Sequence, residues 1–147
     1  MTYLEEETCS VKLGYFDSLL FSIQARILVT RQVLFSAVRQ NVARSFIPSS
    51  TKSEVPDKHL LNVCREAAYQ NVELLYRLLG VVSSENSTFG MIDYHNTFNA
   101  AIIIELYRLY GQDDSPSSYT PQLGHVLNAL QSAGQSGNEF ARDCSVV

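Results

Sequence analysis

The stretch Met91 to Tyr110, Met-Ile-Asp-Tyr-His-Asn-Thr-Phe-Asn-Ala-Ala-Ile-Ile-Ile-Glu-Leu-Tyr-Arg-Leu-Tyr, restricts the fold more than any other. Asp93 can accept hydrogen bonds from the first free amides of a helix, and Gly111 stands where a left-handed stop residue belongs. The spacing predicts a helix over residues 93–110, about five turns long. At about 100° per residue, Thr97, Ala101, Glu105 and Arg108 share a narrow strip. Phe98, Ile102, Ile103, Leu106, Tyr107, Leu109 and Tyr110 cover most of the remaining circumference. Three successive β-branched residues favour extended chain, but the alanine pair before them, the Glu105–Arg108 spacing and the cap argue for a helix. A helix that apolar has to be surrounded, so the expected architecture is all-α: a bundle of four main helices plus a short C-terminal helical turn, packed on a central helix over 93–110.

The rest of the chain supplies the partners. Residues 1–14 carry Glu5, Glu6 and Glu7 with few apolar anchors, which suggests a weakly held lead-in to a single helical domain over 15–147. Leu19, Leu20, Ile23, Ile27, Thr30, Leu34 and Val38 recur on one arc, giving a long helix from about residue 15 to 44. It is basic, with Arg26, Arg31, Arg39 and Arg44 and no acid between Asp17 and Glu54. Most of that charge reads as a solvated face and as compensation of the C-terminal dipole. Arg31 is the exception: it lies at the edge of the apolar arc beside Leu20 and Val38, where it must snorkel or find a partner such as Glu105.

Phe46 to Pro56 reads as a loop. A second helix over about 58–80 follows, with Asp57 as N-cap and Leu60, Leu61, Val63, Cys64, Ala67, Ala68, Leu74, Leu75, Leu78 and Leu79 on its apolar face. Arg65, Glu66, Tyr69, Glu73 and Arg77 fall on the opposite face. Thr120-Pro121 reads as N-cap and first residue of a short helix over about 121–133, buried through Leu123, Val126, Leu127 and Leu130. Gly134 and Gly137 are expected to end it, and Asn138 to cap a last turn over about 139–145.

Length and composition fit one soluble domain: 147 residues, 46% hydrophobic and 18% charged. A net charge of −4 gives no electrostatic reason to expect direct DNA binding. Cys9, Cys64 and Cys144 are far apart and odd in number, which suits reduced intracellular thiols better than disulfides or a zinc site. The opening residues are acidic, unlike a signal peptide, and no uninterrupted apolar run approaches the roughly 20 residues of a membrane span.

For chemistry the sequence offers little. His59, His95 and His125 are scattered, no Gly-rich phosphate loop follows a strand, and no nucleophile–base pair or metal spacing is evident, so the expectation is a non-enzymatic protein with no cofactor or metal. The polar residues that stand out are Arg31, Asn71 in the apolar stripe of the second helix, and His95 and Asn99 on one ridge of the central helix. Buried amides and imidazoles need hydrogen-bond partners. These four either satisfy one another and the backbone at helix crossings or orient a ligand or partner, for instance a small apolar inducer.

Four segments, in order, resemble one family. Leu19-Leu20-Phe21-Ser22-Ile23-Gln24-Ala25-Arg26-Ile27-Leu28-Val29-Thr30-Arg31 is similar to a helix of the regulatory middle homology domain of fungal zinc-cluster (Zn2Cys6) transcription factors, which reads Ile-Leu-Leu-Thr-Arg-Pro. Cys64-Arg65-Glu66-Ala67-Ala68 resembles the Cys-x-x-Ala-Ala opening of that domain's following helix. Asp93-Tyr94-His95-Asn96-Thr97-Phe98-Asn99-Ala100-Ala101 resembles the segment before its most apolar helix, and Ala133 to Cys144 its Ala-Gly-Asn-x-x-Ala close. Gln32 replaces the usual proline, so the first helix can continue.

The six-cysteine zinc cluster, the coiled-coil linker and the earlier half of the regulatory domain have no counterpart in this sequence. The resemblance therefore implies the C-terminal part of a nuclear transcription regulator, acting through protein contacts or an inducer, for instance on a biosynthetic gene set. A free-standing small-molecule binder and a truncated partner that dimerises with a full-length regulator are the alternatives.

Overall fold

The computed structural model describes residues 3–46, 55–85, 91–110 and 120–144, and the side chains of 14–46, 55–80, 94–110 and 121–144. The architecture is all-α: α1 (Tyr3–Phe46), α2 (Lys58–Glu85), α3 (Met91–Tyr110), α4 (Thr120–Gln135) and α5 (Glu139–Cys144), with no strand among the described residues. Asp93 and Thr120 have side chains outside the described residues, and Gly111 lies outside them altogether.

The backbone of α1 is helical from Tyr3, through the expected lead-in. Glu5, Glu6 and Glu7 favour this, since acids in a first turn complement the helix dipole. Helix α2 begins as the sequence suggests, with Asp57 Oδ1 accepting hydrogen bonds from the amides of His59 at 2.9 Å and Leu60 at 3.2 Å. It does not stop at Gly80 but runs to Glu85. A glycine in a helix costs only about 1 kcal/mol, and no proline follows to enforce a stop.

One core joins four helices: Leu20, Ile23, Ile27 and Leu34 of α1, Leu61, Val72 and Leu75 of α2, Ile103, Ile104 and Tyr107 of α3, and Leu123 and Val126 of α4. A second cluster, Tyr94, Leu130 and Ala141, fixes α5. Helix α3 packs against all four other helices, which makes it central in position. The thickest packing nevertheless runs along α2, where Cys64, Ala67 and Ala68 are at most 1% exposed and let neighbouring backbones approach closely.

Several expectations of burial need correction, among them Leu127, expected on the buried side of α4 but 37% exposed. Helix α3 is not enclosed all round, because Leu109 is 71% exposed and Phe98, Ile102 and Leu106 are only partly covered. Thr97, expected on the polar strip, is buried, since its edge of that strip adjoins Ile104 in the core. Tyr69, expected on the outer face of α2, is also buried. In addition, Gly14–Phe46 is long and apolar enough to cross a membrane, with a mean hydropathy of 1.2, although no single apolar run in it is. A third of its most apolar window is buried in the bundle, and the segment carries Arg26, Arg31, Arg39 and Arg44.

The α4–α5 corner is built from its backbone. Gly137 adopts φ +101°, its amide reaches Gly134 O at 3.3 Å, and the amide of Asn138 reaches Ala133 O at 3.1 Å. This paired closure satisfies the last carbonyls of α4. Asn138 then caps the next helix, its Oδ1 accepting from the Ala141 amide at 2.9 Å. Gly134 is therefore not the stop residue: it lies inside α4 as the point of contact with α5.

Candidate functional site

Helices α1, α2 and α4 diverge to leave an open cleft of about 690 Å³. Leu19, Ile23 and Leu74 give it apolar walls, and the polar side of α2 supplies Glu66, Gln70, Glu73 and Arg77. These four polar residues recur three or four apart, so one helix face delivers them all. The charges are internally paired: Arg77 Nε donates to Glu73 at 2.8 Å, and the neighbouring Arg65 donates to Glu66 at 3.1 Å. At the mouth, Arg26 donates to Gln70 Oε1 at 3.5 Å. From α4, Gln122 lines the same cleft with a buried Oε1 that has no hydrogen-bond partner among the described residues.

The lining of this cleft is mixed, and Gln122 Oε1 is the acceptor in it that has no partner among the described residues. Among the described residues, no three His, Cys, Asp or Glu side chains gather as a metal site. The buried thiol of Cys64 is pushed above its ordinary value by desolvation, an effect only partly countered by its hydrogen bond with Thr30. Burial likewise raises Cys144, with the neighbouring Asp143 charge adding to it. Neither is a ready nucleophile, because the thiolate is the reactive form.

The four residues singled out from sequence do not converge. Asn71 is fully buried within the bundle, and neither its Oδ1 nor its Nδ2 has a partner among the described residues. His95 is exposed, its ring 5.8 Å from that of Phe140. Asn99 is half-buried on α3. Arg31 is half-buried with an unpartnered, buried Nε. Its suggested partner Glu105 is instead 2.6 Å from Arg108.

Two bonds bracket the position of Arg31. Gln24 Nε2 donates to Asn96 O at 3.4 Å and Asn41 Nδ2 to Tyr110 O at 3.5 Å, so α1 and α3 run side by side in the same direction with Arg31 between the two bonds. The cleft residues Gln70, Glu73, Arg77 and Gln122 were not singled out from sequence. Their spacing on α2 was a readable signal, but it is also the spacing of any solvated face. Neither a family model, nor a curated protein, nor a solved structure matches this chain.

Proposed function

We propose that this chain is a non-enzymatic regulatory module, resembling the C-terminal part of the regulatory domain of fungal zinc-cluster transcription factors. It acts in transcription control in the nucleus through a protein partner or a small inducer, on a gene set such as a biosynthetic cluster. The observation that carries the reading is the structural work done by the resembling segments, which fall in order on α1, α2, α3 and the α4–α5 corner. Cys64, Ala67, Ala68 and Ala100 are small residues buried in the shared core, and Gly134, Asn138 and Ala141 form the closing corner. Co-precipitation of the chain with a full-length zinc-cluster regulator, coupled to altered output from that regulator's promoter, is the expected result. Unchanged transcript levels on deletion of the chain would overturn it.

A free-standing small-molecule binder is the second reading, favoured by the unpartnered Gln122 Oε1 in the cleft. A thermal shift with fractionated cell extract, lost in Gln122→Leu, supports that reading. A shift that persists in the variant rejects the cleft as its site.

A further inference from the structure

Within the cleft between α1, α2 and α4, depth separates the two signs of charge. Glu73 and Arg77 both line it and are paired, yet the glutamate side chain is 34% exposed and the arginine side chain 66%. The acid is the better covered of the two, and the base stands nearer the solvent. Their contact is a single one, Arg77 Nε to Glu73 Oε1 at 2.8 Å, where an arginine squarely facing a carboxylate makes two parallel bonds. Oε2 of Glu73 is left as an acceptor. A pair this exposed adds little to the fold and is screened by salt. Glu66 lies on the same face of α2, about two turns earlier. Its partner Arg65 lies over the Tyr107 ring and does not line the cleft.

The lining thus carries two carboxylates against one guanidinium, and Gln122 adds an oxygen with no donor among the described residues. What the covered part of the wall lacks is positive charge. Leu19, Ile23 and Leu74 supply the apolar surface opposite. We propose that the cleft takes a primary or secondary amine carried on a short apolar body. The ammonium group donates to Glu73 Oε2 and Gln122 Oε1, and the hydrocarbon lies against Leu19, Ile23 and Leu74. A primary ammonium has three donors, enough to serve both oxygens.

Other ligand charges fit less well. A carboxylate or phosphate would meet both lining acids and find only Arg77, which already serves Glu73. The neighbouring Arg26 is turned to Gln70 Oε1. A wholly apolar molecule would cover Gln122 Oε1 without giving it a donor. The inference rests on the second reading above, the cleft as a small-molecule site, and adds to it the sign of the ligand's charge.

The test is a titration of the full chain with 2-phenylethylamine, followed through the methyl resonances of Leu19, Ile23 and Leu74. The control is 3-phenylpropionate, an anion of similar outline. The amine is expected to give saturable shifts with a Kd of about a few millimolar or tighter, and the anion to bind at least about tenfold more weakly. Glu73→Gln should weaken the amine about two- to fivefold, as loss of one part-exposed charge contact predicts. Arg77→Met releases Glu73 and should tighten the amine, a sign that a merely structural role for the pair would not produce. Both positions are partly exposed, and an unchanged helical circular dichroism spectrum checks that each variant is folded. No saturable shift, an equal or stronger response to the anion, indifference to Glu73→Gln, or weaker amine binding in Arg77→Met would each overturn the proposal. Failure of the amine beside an extract-derived thermal shift that is lost in Gln122→Leu rejects the amine and keeps the cleft as a site; absence of both responses rejects the site as well.

Discussion

Gly134 and Arg142 meet backbone to backbone: a Cβ on Gly134 would stand 2.7 Å from Arg142 Cα and 2.8 Å from its amide nitrogen. Backbone atoms cannot swing aside as a side-chain end can. Gly134→Ala is therefore expected to lose about 2–3 kcal/mol through overpacking, even though alanine is the better helix former. Gly124, in the same helix, has nothing within 4 Å of its notional Cβ. Gly124→Ala should gain about 0.5–1 kcal/mol. Urea unfolding of both variants gives the comparison, and two changes of the same sign would refute close approach at the α4–α5 corner.

Cys64 links stability to alkaline pH. Burial, only partly opposed by the Thr30 hydrogen bond, holds its pKa above the ordinary 9.0. The folded chain thus keeps this proton at pH values where the unfolded chain has released it. The contribution is complete below the unfolded pKa and is lost as pH rises through about 9 toward the folded value. At neutral pH, Cys64→Ala should be less stable than the parent by roughly 1–2 kcal/mol. That gap should narrow above pH 9, since the variant lacks the titrating group; a gap that stays constant would show that Cys64 does not titrate differently in the two states.

The helices were legible because their signals are local. Asp57, the Schellman-type closure at Gly137 and the cap at Asn138 act within a few residues of themselves, and each was recognisable from residue type and spacing. Helix α3 shows the opposite case. With apolar residues nearly all round, its sequence could not distinguish the half carrying Ile103, Ile104 and Tyr107, which is covered, from the half carrying Leu109, which is not. That choice is made by where α1 and α2 lie. The cleft was hidden for the same reason, since Gln122 joins Glu73 and Arg77 only after α4 has packed on α2. Arg31, by contrast, was located at the edge of the apolar arc by its angle alone, and it is half-buried there.

Asn71 carries two buried polar atoms without partners among the described residues, in a side chain that is 0% exposed. Each such group costs roughly 1–3 kcal/mol relative to a satisfied one. Leucine has the same branched outline and no hydrogen-bonding demand. Asn71→Leu should therefore stabilise the fold by about 1 kcal/mol, after some loss to its greater volume. Thermal unfolding decides the matter, and a lower midpoint would mean that the amide is satisfied by a buried water or a bound molecule.

Tyr107 ties α3 to α2 in two separable ways. Its hydroxyl donates to Asn62 Oδ1 at 3.2 Å, and the Arg65 guanidinium lies 5.4 Å from its ring centroid. The tyrosine is 2% exposed and the arginine side chain 22% exposed, so this cation–π contact is partly desolvated. Tyr107→Phe keeps the ring and removes the hydroxyl, and should cost about 1 kcal/mol. Arg65→Met keeps most of the stem and removes the charge. A double-mutant cycle of Arg65→Met with Tyr107→Leu should return a coupling of about 0.5–1 kcal/mol. The same cycle with Tyr107→Phe should return much less, because phenylalanine still presents a π face to Arg65. Equal couplings in the two cycles would place the interaction at the hydroxyl and remove the ring from the account.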